Sequence, residues 1–248
     1  MMNTVPLLLL PGLMNDARVW DPVRRALPAG RDVVVSPTDG ADTVEALAAT
    51  ALAAMPEGSF AVAGFSLGGY VALEVCRQAS ARIAGLALLD TGARADSEEA
   101  TQNRRRMVAA LSSGGASFAQ VVESFTPRVL HPAHAQDRSL LELIADMARQ
   151  VGGEGFTRQQ KAAMQRRDAR ELLPALTVPA LVLCGREDQI TPLALSEEMA
   201  GLLPGDAELV VVPQCGHMST LEQPAAVAEA FLRWLARVDA AASPARGG

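Results

Sequence analysis

The chain has 248 residues, of which 49% are hydrophobic and 20% are charged, as in a globular protein with one α/β domain or two small ones. A formal net charge of −6 argues against non-specific nucleic-acid binding, which depends on basic surface. The three cysteines, Cys76, Cys184 and Cys215, form no CxxC pair, so we expect free thiols in a cytoplasmic protein. The first apolar run, 5–10, is too short for a signal core or a membrane span, and we expect no membrane association.

Short apolar runs alternate with longer amphipathic stretches along most of the chain, the pattern of a parallel sheet covered by helices. Runs of Val, Leu and Ala are typical of strands that are buried on both faces. The predicted strands are 5–10, 32–36, 60–63, 85–90, 180–184 and 208–212. The predicted helices between and after them are 16–27, 43–55, 67–79, 191–203 and 221–238. The Thr191-Pro192 pair is a good cap and first turn for the fourth of these helices.

The segment 94–173 interrupts this alternation because it contains no convincing strand. Gly-Gly pairs and prolines divide it into predicted helices at 98–111, 117–125, 136–150 and 157–167. We therefore predict an α/β core formed by 1–93 and 174–238, with about six mainly parallel strands flanked by helices, and a helical insertion between the fourth and fifth strands. Residues 239–248 have little to bury, and we expect a flexible tail there.

Ser66 lies in the segment Gly64-Phe65-Ser66-Leu67-Gly68-Gly69, between a predicted strand and a predicted helix. A serine in that place sits on a tight turn, and small residues two positions before and after it remove Cβ clashes. The turn exposes the hydroxyl at the carboxyl edge of the sheet, beside the positive end of a helix. Glycines here would also suit a dinucleotide-binding fold, but the first strand–helix turn lacks G-x-G-x-x-G. We predict that Ser66 is a nucleophile.

A serine hydroxyl is a poor nucleophile at neutral pH and needs a base. His217 follows the last predicted strand, and because parallel strands share one carboxyl edge, its loop emerges near Ser66. His131 and His134 lie in the helical insertion with no Asp, Glu or Cys at supporting metal-ligand spacing. We therefore expect those two to be surface residues, no metal site, and His217 as the base.

The base needs an acid that fixes its tautomer and stabilises the imidazolium. Asp188 follows the fifth predicted strand, and Ser, Asp, His is one of the known chain orders of such groups. Glu187 is its nearest competitor. Asp90, which ends the fourth predicted strand, is either a second candidate or the cap of a turn. We predict Asp188 as the acid.

Acyl transfer also requires hydrogen-bond donors to the tetrahedral oxyanion. We predict the backbone N–H of Leu67, next to the nucleophile, and that of Leu13, in the loop after the first strand. A Pro-Gly pair precedes Leu13 and would also suit a purely structural turn. Met14, Phe65 and Met218 flank these positions, and they either line an apolar acyl pocket or pack in the core.

Four segments together resemble the α/β-hydrolase superfamily over nearly the whole chain: LPGL at 10–13, GFSLGG at 64–69, VPALVLCGRED at 178–188, and GHM at 216–218 followed by LEQP at 221–224. Within it the chain resembles carrier-protein methyl ester esterases, 3-oxoadipate enol-lactonases and meta-cleavage product hydrolases. The resemblance implies cofactor-free hydrolysis of an ester, lactone or thioester through an acyl-serine intermediate, and it implies that 94–173 is a cap over the acyl pocket. The chain differs from these enzymes at Pro11, where a histidine is common.

Other functions remain open from the sequence. The same three side chains would serve a carbon–carbon bond hydrolase or a cofactor-free perhydrolase, and the fold would serve a non-catalytic ligand receptor. We expect a small-molecule ester-type substrate, no nucleic-acid partner, and a monomer or homodimer. The run Arg104-Arg105-Arg106 is typical of a solvated helix face, although it would also attract an acidic substrate.

Overall fold

The computed structural model describes residues 4–205 and 207–243, and its centre is one parallel sheet of six strands. The strand order is β2-β1-β3-β4-β5-β6, with parallel pairing throughout. This confirms the predicted α/β class. The strands are β1 (Leu7–Leu10), β2 (Val33–Val35), β3 (Phe60–Phe65), β4 (Ile83–Leu89), β5 (Ala180–Gly185) and β6 (Ala207–Val212).

Helices cover both faces of the sheet because the side chains of each strand alternate between two cores. In β1, Leu7 and Leu9 pack with the helices Asp21–Ala26 and Pro224–Ala242 on one face of the sheet. Leu8 and Leu10 pack with the helices Val44–Ala54 and Leu67–Gln78 on the other face. None of the described helices is long and apolar enough to cross a membrane. The helices are α1 (Asp21–Ala26), α2 (Val44–Ala54), α3 (Leu67–Gln78), α4 (Glu98–Ser112), α5 (Phe118–Phe125), α6 (Arg138–Gln165), α7 (Leu193–Leu202), α8 (Ser219–Glu222) and α9 (Pro224–Ala242).

The connection between β4 and β5 is helical and contains α4, α5 and α6; no strand forms in it, and the structure describes this stretch throughout. The two helices predicted at 136–150 and 157–167 form the single stretch α6, which is interrupted only at Gly152, where φ is +70°. A glycine with positive φ can kink a helix without an intervening loop. The interruption is therefore one residue, Gly152, rather than the loop 151–156 that the glycine pair suggested.

The order of the strands fixes where the functional loops emerge. The chain moves from β1 to β2 and then crosses back to β3 on the other side of β1. The carboxyl ends of β1 and β3 therefore flank a topological switch point, the usual place for a ligand in an open α/β sheet. The loops after β5 and β6 reach the same edge of the sheet.

The predicted flexible tail 239–248 is wrong for its first residues, because α9 continues to Ala242. The Asp239 carboxylate accepts a hydrogen bond from Val5 N–H at 3.0 Å and pairs with Arg31, whose side chain is only 2% exposed. Arg31 also donates to Val5 O. This long-range contact holds the end of α9 against the start of β1. Residues 244–248 of the predicted tail lie outside the described residues.

Replacing Asp239 with alanine should leave the buried Arg31 guanidinium without its carboxylate. We expect the free energy of unfolding to fall by about 1–3 kcal/mol, because an unpaired buried polar group keeps its desolvation penalty. Urea denaturation followed by circular dichroism measures the change. Glu229→Ala is the control in the same helix: Glu229 is 75% exposed in its pair with Arg233 and should change stability by less than about 0.5 kcal/mol. Equal losses in both variants would contradict this account.

Candidate active site

Ser66 occupies a sharp turn between β3 and α3, with φ 52° and ψ −116°. A Cβ atom on Gly64 would lie 2.2 Å from the carbonyl oxygen of Gly68, and one on Gly68 would lie 2.0 Å from that of Leu10. Both positions therefore require glycine, and the turn packs directly against the end of β1. The serine is 9% exposed, at the positive end of α3.

The structure brings the three predicted side chains together from distant parts of the chain. His217 Nε2 lies 2.9 Å from Ser66 Oγ, and His217 Nδ1 lies 2.8 Å from Asp188 Oδ2. All three residues are buried or nearly so. Nucleophile, base and acid groups at these distances have the geometry of a proton relay.

Asp188 is held by its own loop. Its Oδ1 accepts hydrogen bonds from the N–H groups of Ile190 and Thr191, and its Oδ2 accepts one from the Thr191 hydroxyl at 2.6 Å. The sequence predicted Thr191 as a helix cap, but α7 begins only at Leu193, and the side chain of Thr191 contacts the carboxylate instead. Thr191 was thus missed as part of the site.

The charges of this pair depend on each other. Burial favours the neutral imidazole, but the Asp188 carboxylate outweighs burial through its charge and hydrogen bond and raises the pKa of His217 above the ordinary 6.5. Burial also opposes the charge on Asp188, but contacts with His217 and Thr191 lower the pKa of that carboxyl below its usual value. Both shifts favour an imidazolium beside a carboxylate.

Asp90, the second candidate acid, does not hydrogen-bond to His217. It ends β4 with φ 48°; its Oδ1 accepts from Gly185 N–H at 2.9 Å, and its Oδ2 is hydrogen-bonded to Ser219. Complete burial and the nearby charge of Asp188 raise its pKa well above the usual range. Asp90 therefore joins the ends of β4 and β5 to α8.

Leu67 and Leu13, whose N–H groups are the predicted oxyanion donors, line the same cavity as Ser66. The N–H of Leu67 belongs to the first turn of α3, where helical N–H groups have no intrahelical acceptor. Leu13 lies in the loop after β1, and its N–H makes no hydrogen bond to another described residue. The next N–H in that loop, that of Met14, donates to Gln159 Oε1 of α6 at 2.9 Å. Gln159 was missed from the sequence.

Of the three residues predicted to flank the pocket, Met14 and Met218 line the cavity and Phe65 does not. Phe65 is 1% exposed, and its ring packs 5.4 Å from the His217 ring. The reason is the alternation of β3, which directs Phe65 into the same core as Ala61 and Ala63. Phe65 therefore belongs to the core, and its ring packs against the ring of His217.

Comparison with known proteins identifies the family to which this fold belongs. The sequence model described as "Alpha/beta hydrolase family" matches residues 7–230. The chain belongs to the alpha/beta hydrolase family.

Two similar hydrolases and one enol-lactonase illustrate the family. A pimeloyl-acyl-carrier-protein methyl ester esterase of Neisseria meningitidis is 31% identical over 193 residues, across 75% of this chain and 71% of that protein. A thermophilic esterase from Thermogutta terrifontis, solved with malate bound, has a TM-score of 0.84 at 34% identity and covers 95% of this chain and 90% of its own. The enol-lactonase from Burkholderia xenovorans LB400 shares the fold, with a TM-score of 0.82 at 24% identity over 94% of this chain and 92% of its own.

In this family member, a cavity of about 170 Å³ opens at Ser66 and His217. The loop after β1 forms one wall, the start of α3 and the loops after β5 and β6 form another, and the helices between β4 and β5 cover the remainder. Most of the lining is apolar, including Met107 of α4, Phe125 of α5 and Ile144 of α6. Such a space accommodates a small apolar chain next to the serine hydroxyl.

Glu222 is a further residue that sequence reasoning left without a role. Its side chain is fully buried. Its Oε1 accepts from the N–H groups on both sides of His217, those of Gly216 and Met218, at 3.0 and 3.1 Å. Its Oε2 accepts from His131 N–H at 2.7 Å and lies 2.9 Å from His134 Nδ1.

Glu222 therefore links the loop that carries His217 to the connection between β4 and β5. The His217 N–H adds a direct hydrogen bond to Val129 O of that connection, at 2.8 Å. His131 and His134, expected at the surface, are half-buried there, and both are bonded to Glu222. The signal in the sequence that could have indicated a role for Glu222 is its place in the segment LEQP, five residues after His217.

Glu222→Gln should destabilise the loop, because an amide nitrogen replaces one of two oxygens that each accept hydrogen bonds. Two of the donors then lose their acceptor, and we expect a loss of about 2 kcal/mol or more in the free energy of unfolding. Glu187→Gln is the matched control: Glu187 accepts one hydrogen bond, from Cys215 N–H, which an amide oxygen also accepts. Thermal and urea denaturation of both variants compare them. Wild-type stability in Glu222→Gln would contradict the role assigned to the carboxylate.

Proposed function

We propose that the chain is a serine hydrolase that cleaves a carboxylic ester, lactone or thioester of a small-to-medium acyl substrate through an acyl-serine intermediate. The observation that carries the proposal is the line of hydrogen bonds from Ser66 through His217 to Asp188, at 2.9 and 2.8 Å. Similarity to two esterases supports an ester as the substrate. The reaction needs no cofactor and no metal.

In the proposed acylation, Ser66 Oγ attacks the carbonyl carbon while His217 Nε2 takes the hydroxyl proton. Asp188 holds the Nδ1 proton and stabilises the imidazolium. The N–H groups of Leu67 and Leu13 donate to the oxyanion. The bond from carbon to the leaving oxygen then breaks, His217 gives its proton to the leaving alcohol, and the acyl group stays on Ser66.

Deacylation repeats these steps with water. His217 takes a proton from the water as its oxygen attacks the acyl carbon, the bond to Ser66 Oγ breaks, and the proton returns to the serine while the acid leaves. Cys215 does not compete as a nucleophile, because burial and neighbouring carboxylates raise the pKa of its thiol far above neutrality.

Substitution of Ser66 by alanine tests the proposal directly. Wild-type protein should hydrolyse p-nitrophenyl acetate and butyrate, and Ser66→Ala should lower kcat by about three decades or more, because the attacking atom is lost. Ser124→Ala is the matched control, since Ser124 lines the same cavity and donates only to Val121 O.

Equal activity of wild type and Ser66→Ala would exclude Ser66 as the nucleophile. Failure of the wild type on every ester, thioester and lactone, together with ligand binding, would favour a receptor.

The pH dependence of kcat/KM should report the ionisation of His217. A base must be neutral to accept a proton, and the Asp188 carboxylate raises the pKa of His217 above 6.5. Activity should therefore be present above that raised pKa and be lost as pH falls through it, with a midpoint above 6.5. Rates on an uncharged ester between pH 5 and 9, with stability checked at each pH, measure the midpoint. A midpoint below 6.5 would contradict the effect assigned to Asp188.

A further inference from the structure

The cavity at Ser66 combines apolar walls with basic side chains and carries no matching acid. Arg104 of α4 and Arg128 both line it, whereas none of the described aspartates or glutamates does. The sequence suggested that Arg104 lies on a solvated face with Arg105 and Arg106. Only the two neighbours are exposed; the Arg104 side chain is 20% exposed.

Arg104 is fixed in the wall of the cavity by two hydrogen bonds. Its Nη1 donates to Gln160 Oε1 at 2.6 Å, and its Nε donates to Asp96 Oδ2 at 2.7 Å. Gln160 is 1% exposed and also lines the cavity. No described residue accepts a hydrogen bond from Arg104 Nη2. A planar guanidinium held in this way loses little conformational entropy when it binds a further acceptor.

The charges around Arg104 leave an excess of one positive charge. Asp96 is shared between Arg104 and Arg166, and these side chains are 3%, 20% and 10% exposed. A buried excess charge is unfavourable unless a counter-charge accompanies it. Arg128, which is exposed, adds a second positive charge at the cavity and forms no ion pair with another described residue. An anionic group in the cavity would therefore be favoured.

The cluster lies close enough to the nucleophile for one small molecule to reach both. Ser66, Tyr70 and Arg104 all line the same cavity of about 170 Å³, and Tyr70 lies in the first turn of α3, which begins directly after Ser66. The Arg166 guanidinium stacks 3.9 Å from the Tyr70 ring centroid. Because Ser66 and Arg104 line one cavity, a small molecule bound there can contact both side chains.

We propose that the cavity selects esters whose acyl chain ends in a carboxylate, which Arg104 binds with the help of Arg128. This inference rests on the function proposed above and adds a substrate class to it. The hemiester of a short dicarboxylic acid fits: its ester carbonyl lies at Ser66, its methylene groups contact the apolar wall, and its free carboxylate meets the guanidinium groups.

The test compares monoethyl glutarate with ethyl 5-methylhexanoate, in which a branched alkyl group of similar shape replaces the carboxylate. Acid release is followed by pH-stat. Wild type should prefer the anionic ester in kcat/KM. Arg104→Gln should lower kcat/KM for that ester about 10- to 100-fold, as expected for a charge-assisted hydrogen bond, and should lower kcat/KM for the neutral ester far less. Arg104→Lys should restore part of the loss, and Arg105→Gln is the control on the same helix.

The inference would be overturned if the wild type had equal kcat/KM for the two esters, or if Arg104→Gln lowered kcat/KM equally for both. The hydrolase function would stand in either case. If Arg104→Gln does not fold, Arg128→Gln, which removes no internal bond, decides by the same comparison. If no ester is hydrolysed, the proposed function fails and calorimetry decides the inference. Binding of monoethyl glutarate by Ser66→Ala that is lost with Arg104→Gln supports a carboxylate site, and absence of binding overturns it.

Discussion

The active-site region depends on one strained residue, Ser66, at the junction of β3 and α3. A residue other than glycine at φ 52° and ψ −116° costs about 1–3 kcal/mol and persists only where surrounding packing fixes it. Here the backbone of Gly68 approaches both Gly64 and the end of β1 more closely than any side chain would allow. The same contact sets the position of the oxyanion loop relative to Leu67. One packing constraint thus fixes the Ser66 hydroxyl and the Leu67 N–H relative to the end of β1.

The loop that carries His217 is held in a different way, by the buried carboxylate of Glu222. Glu222 accepts the N–H groups on either side of His217 and reaches across to His131 and His134. The helical connection between β4 and β5 therefore holds the histidine loop as well as covering the cavity. Gln159 makes a similar connection from α6 to Met14 in the oxyanion loop. The helical connection is thus hydrogen-bonded to His217, through Val129 O, and to Met14, the residue after Leu13.

The sequence predicted what depends on local pattern and chain direction. The strands were visible as apolar runs, and the common edge of parallel strands was enough to group Ser66, Asp188 and His217, which the structure brings within hydrogen-bond distance. The errors concern long-range burial. Nothing local distinguishes Arg104, which enters the cavity wall, from Arg105 on the same helix.

The end of α9 and the role of Glu222 were missed for the same reason. Each is decided by a partner far along the chain: Arg31 for Asp239, and the helical connection for Glu222.

Two buried aspartates lie at the ends of neighbouring strands, and their surroundings explain why only one of them bonds to His217. Like charges in a shared low-dielectric site cannot both persist, so their pKa values separate. Asp188 receives N–H and O–H donors from its own loop in addition to the imidazole, which lowers its pKa. Asp90 has one N–H and one hydroxyl partner, and burial together with Asp188 raises its pKa. Of the two, Asp188 therefore holds the negative charge, and it is the one that touches Nδ1. A neutral Asp90 supports the adjoining backbone without competing for the Nδ1 proton, so the environment favours Asp188 as the partner of His217 where chain order alone left two candidates.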